Sequence, residues 1–186
     1  MLATTQDLDD LLGESVPLAT ATLLIELATA AVQEAAGQRL VAVAADVADL
    51  MGTTERWLKL PERPVTDVTS VTIDGEAVTD FKRFGARLWR EKCWSDAAYE
   101  PSEVQVTYDH GWAADDQSLG LARSITLMLA AQSYADPDGS SGGMSIDDYQ
   151  EQRSRTSESL LNHIPVRIQR SLRRAYGGGG GLVRVG

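Results

Sequence analysis

WLKLPERPVTDVTSVTIDG, residues Trp57 to Gly75, joins strand chemistry to turn chemistry in one run. Leu58 and Leu60 alternate with Lys59, and Pro61 and Pro64 hold the chain extended and forbid a helix through Arg63. Val65, Val68, Val71 and Ile73 follow with Thr66, Thr69 and Thr72 among them, the β-branched richness of a strand packed on one face. Asp74-Gly75 closes the run: Gly accepts the positive φ of a tight primed turn, and Ala77-Val78 begins the returning strand. The signature is structural and carries no chemistry of its own.

Outward from this run, Phe81, Phe84-Gly85 and Ala86 to Trp89 read as two short strands joined by the Gly. Cys93 to Asp96 reads as loop, and Val104, Val106 and Tyr108 alternate as a strand that ends at Asp109-His110-Gly111-Trp112. Four or five antiparallel strands are therefore expected between residues 57 and 108. Helices flank them. Asp7, Leu8, Leu11 and Leu12 suit a short first helix closed by Gly13 and Pro17. From Leu18 to Gln38, Leu18, Ala21, Ile25, Ala28, Val32 and Ala35 line one face, widened by Leu24, Leu27 and Ala31. So many alanines let a neighbouring helix, or another copy, approach closely. Residues 41–56 are expected to be irregular. After the strands, Leu121, Ile125, Met128 and Leu129 mark a helix from Leu119 to Tyr134 that stops before Pro137. DPDGSSGGM, Asp136 to Met144, is linker-like. Ser145 with Asp148 makes a capping box for a largely polar helix from Ile146 to Asn162. Ile164-Pro165 starts another, with Val166, Ile168, Leu172 and Tyr176 set against Arg167, Arg170, Arg173 and Arg174. Gly177 to Gly181 reads as a spacer to Leu182-Val183-Arg184-Val185.

The expected fold class is α+β: a helical bundle made from both ends of the chain, a small antiparallel β-sheet inserted in it, and a C-terminal helical tail. The expected division is 1–56 for the first bundle helices, 57–112 for the sheet, 113–162 for the later helices and 163–186 for a flexible basic tail.

Composition narrows the function. The 186 residues hold 17 Lys and Arg against 27 Asp and Glu, a net charge of −10, which disfavours bulk affinity for DNA, RNA or an anionic membrane. The charge is uneven: residues 151–186 carry seven Arg and two Glu, so an acidic body bears a basic tail. One cysteine, Cys93, permits no internal disulfide. No apolar run suggests a membrane span, and MLATTQDLDD lacks the marks of a signal peptide, so synthesis and use in a cytoplasm, or export by a route other than secretion, is expected.

Candidate chemistry meets blander readings. Asp109-His110 at a strand end suggests a metal or acid-base pair. A structural turn is favoured, because metal sites draw on three or four convergent ligands and the only other histidine, His163, has no partner at ligand spacing. Asp115-Asp116 and Asp147-Asp148 sit at helix starts, where capping explains them. Cys93, between Lys92 and Trp94, reads as a structural thiol, having no histidine near it in sequence. Gly177 to Gly181 lacks the Lys-Ser/Thr and the following helix of a phosphate loop. For the basic run Arg167 to Arg174, an acidic protein partner is favoured over nucleic acid or a solvated face, since an apolar stripe accompanies it.

The order of these features resembles the head-to-tail connector (adaptor) proteins of long-tailed bacteriophages. The likeness covers about residues 15–135: an alanine-rich helix ending near AAGQRL, then LKLPERPVTDVTSVTIDG, then VQVTYDHGW, then a helix beginning near LGLARSITLMLAAQ. That family's Pro-x-x-Pro, Val-x-x-Val, Asp-Gly segment maps to Leu60 to Gly75, and its Val-x-Val-x-Tyr-x-x-Gly-Trp segment to Val104 to Trp112. Ala113 to Asp116 departs from the proline pair often found there, and the Gly-rich tail has no counterpart. The resemblance implies a non-enzymatic virion protein without cofactor or metal, located in the neck between capsid and tail after assembly in the host cytoplasm. Such subunits close a ring of about a dozen copies, dock on the portal protein, contact a tail or stopper protein, and extend a channel through which double-stranded DNA passes without specific binding. A membrane partner is not implied. The portal contact is then expected in the tail, at Arg167, Ile168, Arg170, Leu172, Arg173, Arg174 and Tyr176, and at Leu182, Val183 and Arg184. The subunit contact is expected at Leu24, Leu27, Ala31, Trp89 and Trp94. A stopper, a tail terminator or a small hydrolase using Asp109 and His110 are the alternatives.

Overall fold

Thr4 begins the first helix by accepting the Asp7 N–H at 3.2 Å while the Asp7 carboxylate accepts the Thr4 N–H at 2.8 Å, a reciprocal capping box. These bonds hold the Asp7 carboxyl below its ordinary range. The structure is a computed structural model that describes residues 1–96, 100–135 and 164–177. It divides into two units: Met1–Gly37 with Ala114–Gly177, which is helical, and Gln38–Ala113, which is all β.

In the helical unit, α1 spans Thr5–Leu12 and α2 spans Leu18–Ala36, as the sequence predicts. The α2 face of Ala21, Ile25, Ala28, Val32 and Ala35 is buried. By length and composition alone α2 could cross a membrane, against the expectation from the hydropathy of the chain. Here that apolar face packs inside the bundle, against α3, Gly120–Ala135, and α4, Val166–Tyr176. Asp116 accepts the Ser118 N–H at 2.8 Å and caps a single 3-10 turn, Gln117–Leu119, that leads into α3. The chain start is tied in as well. The Leu2 N–H donates to Thr29 Oγ1, and the Leu2 carbonyl accepts from Arg123 Nε on α3.

The described residues of the β unit hold seven strands: β1 Val43–Met51, β2 Trp57–Lys59, β3 Val65–Ile73, β4 Glu76–Ala77, β5 Phe81–Phe84, β6 Arg87–Arg90 and β7 Glu103–His110. They form two antiparallel sheets, ordered β1-β7-β3-β4 and β2-β6-β5. The Asp74-Gly75 turn has φ of 50° and 82°, the two positive values of a type I′ hairpin. Inward residues of both sheets share one core: Leu58, Leu60 and Leu88 from one side, Ala48, Val71, Val104, Val106 and Tyr108 from the other, with Trp94 among them. This is a small sandwich.

Two expectations are corrected. Residues 43–51 form an edge strand, bulged near its start, so the β unit starts at Gln38 and not at residue 57. VAADVADLM lacks β-branched density because only one side of it packs: Ala48 and Leu50 face the core while Val47, Asp49 and Met51 face out. Residues 57–110 also hold six strands in two sheets, more than the four or five of one sheet. The expected helix over Ile146 to Asn162 lies outside the described residues.

Candidate assembly interface

The C-terminal helix is the first candidate surface. Ile168 to Tyr176 keep an apolar stripe, and the stripe docks: Leu172 is fully buried and Tyr176 is 6% exposed. Tyr176 Oη donates to the Ser118 carbonyl at 2.7 Å and accepts the Ala122 N–H at 3.4 Å, which satisfies orphan groups at the start of α3. Arg173 Nε donates to the Ala35 carbonyl in the last turn of α2, where a cation also suits the negative end of the helix dipole. Residues 164–177 are therefore a packed part of the helical unit. The expectation of a loose tail is corrected there, and Leu172 and Tyr176 serve the core instead of offering a free binding edge.

What remains outward on α4 is basic. Arg167, Arg170 and Arg174, at helical spacing, line a shallow depression with Val166 and Ser171. None of the three forms a salt bridge among the described residues. Like charges on one helix face cost a few tenths of a kcal/mol each, roughly, so their grouping suits a face kept for an anionic partner. Ile168 is half-buried beneath it. Leu182, Val183 and Arg184 lie outside the described residues.

The residues expected at the subunit contact fall in different environments. Leu24 and Leu27 are half-buried, while Ala31 is buried within the helical unit. Trp89 faces outward on β6, paired with Trp57. Trp94 is corrected: it is wholly buried in the sandwich, its Nε1 donates to the Arg56 carbonyl at 3.1 Å, and the Arg90 guanidinium stacks over its ring. Arg90 is held in turn by Asp80, at 2.9 and 3.2 Å, and that hydrogen bonding keeps the Asp80 carboxyl low. Burial needs exactly such a partner for a guanidinium. Cys93 is a half-buried free thiol.

Asp109 and His110 do not converge. They are neighbours in β7, so their side chains leave opposite faces of the sheet. Asp109 accepts the Ala45 N–H at 2.7 Å, fixing a bulge where Ala45 has φ 51°. The His110 ring is fully enclosed and contacts Asp46 at 3.0 Å through Nε2; Asp46 also binds Arg39 at 2.6 Å. Burial pushes the Asp46 carboxyl up, but the Arg39 and His110 hydrogen bonds overcome it and leave the carboxyl below its ordinary range. Tyr108 lies against the His110 ring, and burial drives its hydroxyl to about 12. Glu62 accepts the Arg39 N–H at 2.9 Å, and the Gln38 amide exchanges two hydrogen bonds with Arg63. This is a polar clamp that ties PERP to DHGW, with no accessible acid-base pair. Among the described residues no group of three His, Cys, Asp or Glu side chains could hold a metal.

No family model matches the chain, and no curated protein matches it. Among solved structures, a chain in the neck of an empty gene transfer agent (GTA) particle, computed with C6 symmetry, is similar to it at 17% identity. The match covers 87% of this chain and 88% of that one, with a TM-score of 0.53. This chain shares the fold of that chain. A chain from the neck of a native GTA particle, computed with C12 symmetry, covers 86% of each at 17% identity and a TM-score of 0.49. One from the virion of a native GTA particle covers 78% and 75% at 18% and 0.41.

In this fold the two stretches that carry the sequence resemblance become hydrogen-bonded partners. β3, from the Pro-x-x-Pro, Val-x-x-Val run, pairs along its length with β7, from the Val-x-Val-x-Tyr run. Sequence reasoning missed Asp46 and Arg39 as the partners of His110. Only the register of β1 on β7, which sets Asp46 opposite Tyr108, brings them there.

Proposed function

We propose that this protein is a structural subunit of a virion neck: a ring-forming head-to-tail adaptor that docks on the portal protein and extends the DNA channel toward the tail. The observation that carries the reading is the fold, shared over 87% of the chain with a component of a particle neck. The unbridged Arg167, Arg170 and Arg174 supply the portal contact, and Leu24 and Leu27 on α2 belong to the contact between copies. A net charge of −10 suits a wall past which DNA slides, because a basic wall would release counterions and grip. The ring holds about a dozen copies joined by heterologous contacts, in the virion after assembly in host cytoplasm. A tail or stopper protein takes its far side.

Deleting the C-terminal segment would remove Leu172 and Tyr176 from the bundle, so charge reversal is the cleaner test. Arg167→Glu, Arg170→Glu and Arg174→Glu together should leave circular dichroism and melting nearly unchanged and abolish attachment to portal-bearing capsids. Full attachment by the triple variant would remove the portal assignment. Attachment of the wild type to isolated tails but not to capsids would favour a stopper or terminator.

A further inference from the structure

Strand pairing sorts the charges of the sandwich by sheet. β1, β3, β4 and β7 contain Asp46, Asp49, Asp67, Glu76, Glu103 and Asp109 and neither Lys nor Arg. β2, β5 and β6 contain Lys59, Lys82, Arg83, Arg87 and Arg90 and no carboxylate. The two sheets share one core, so their outer faces point to opposite sides of the same sandwich.

Register fixes what each outer face shows. On the three-stranded sheet the rows read Trp57, Trp89, Lys82 and then Lys59, Arg87, Phe84. Trp57 and Phe84 are 43% and 55% exposed and meet edge to face with centroids 5.5 Å apart. On the four-stranded sheet Asp49, Glu103 and Asp109 face outward, because Ala48, Leu50, Val104 and Tyr108 beside them face the core, and Asp67 lies directly opposite Asp109 on the same face. Val47 and Met51, 44% and 66% exposed, stand beside them. One face is cationic and aromatic, and the other is anionic with an aliphatic edge.

We propose that the outer face of the three-stranded sheet docks on the outer face of the four-stranded sheet of a second copy of this chain, joining neighbours head to tail. The inference rests on the ring reading above and names the surfaces that close the ring. A heterologous contact needs two different patches on one molecule, and two patches on opposite sides of a module repeat without self-blocking. Opposite charge sets register and penalises like-to-like pairing, while Trp57 and Phe84 against Val47 and Met51 supply the apolar anchor. Aromatic and basic side chains on a sheet also suit single-stranded nucleic acid. Two observations favour the second copy: the Trp57 and Phe84 rings pack on each other at 65° instead of lying open as parallel stacking surfaces, and the chain as a whole is acidic.

The test uses two full-length variants, Lys82→Glu with Arg87→Glu and Asp67→Lys with Glu103→Lys, alone and mixed, in sedimentation velocity beside the wild type. Each variant alone should stay monomeric at concentrations where the wild type associates. The mixture should co-assemble with both partners present, and added salt should dissolve it. A mixture that stays monomeric overturns the proposal. So does a variant that associates alone as the wild type does, which leaves the ring reading intact and removes only these surfaces. A wild type that is monomeric even on portal-bearing capsids removes the ring reading itself. Binding of a short oligothymidylate that Trp57→Ala abolishes, with self-association unchanged, would overturn the proposal in favour of a nucleic-acid platform.

Discussion

His110 illustrates how far a single residue can be read. Its sequence neighbours suggest a turn or an acid-base pair, and the partner that matters, Asp46, lies 64 positions away on a strand that the local sequence does not announce. The consequence is measurable through pH. Folding lowers the Asp46 carboxyl below its ordinary value, so its contribution to stability is fully present above the ordinary carboxylate range and lost as pH falls through the depressed folded value. Asp46→Asn should cost about 1–3 kcal/mol in urea unfolding near neutral pH, and its difference from wild type should shrink as the solution is acidified through and below the ordinary carboxylate range. An unchanged difference through that range would show that Asp46 does not act as a carboxylate. Trp94 gives the opposite lesson. A tryptophan beside Cys93 in a loop-like stretch looks available for an interface, yet it is the largest buried side chain of the sandwich. Loop composition says nothing about which way one aromatic turns.

At the scale of elements, periodicity read the long helices and the Asp-Gly hairpin well, because their signals are local: a stripe at helical spacing in α2, a positive-φ turn between β3 and β4. β1 escaped because an edge strand with one buried side needs few branched residues. α4 is legible as a helix, but its strong amphipathicity suggests an absent partner, whereas α2 and the start of α3 already provide one. Leu172→Ala should therefore lower stability by about 2–5 kcal/mol, as for other buried leucines; a loss below about 1 kcal/mol in chemical denaturation would mean the helix is held loosely. Gly111 is a second element-scale constraint. With φ at 90° and the Val41 carbonyl oxygen 2.6 Å from where a Cβ would sit, Gly111→Ala should destabilise the protein by several kcal/mol and disturb the Val41 bridge to Trp112.

For the whole molecule, the sequence revealed a helical, then β, then helical order, and with it the α+β class. It did not reveal that the charges of seven strands divide by sheet. That pattern exists only once pairing is known, since acidic and basic strands are interspersed along the chain. Among the described residues the β unit also comes from one stretch of sequence and has its own core, whereas the helical unit is assembled from two distant segments. Residues 38–113 expressed alone should fold and melt cooperatively, with tryptophan emission that shifts to the red on unfolding as Trp94 leaves the core. A fragment with the emission of exposed tryptophan would show that the sandwich needs the helices.

The two ends of that unit are stitched together. Trp112 N–H donates to the Leu40 carbonyl at 2.9 Å, and Ala42 N–H donates to the Trp112 carbonyl at 2.8 Å. The chain thus enters and leaves the sandwich through one two-ply stem. In evolutionary terms this makes the sandwich an exchangeable cassette: its outer faces can diversify, or the whole insert be replaced by another with the same stem spacing, while the helix sequences stay under their own separate selection.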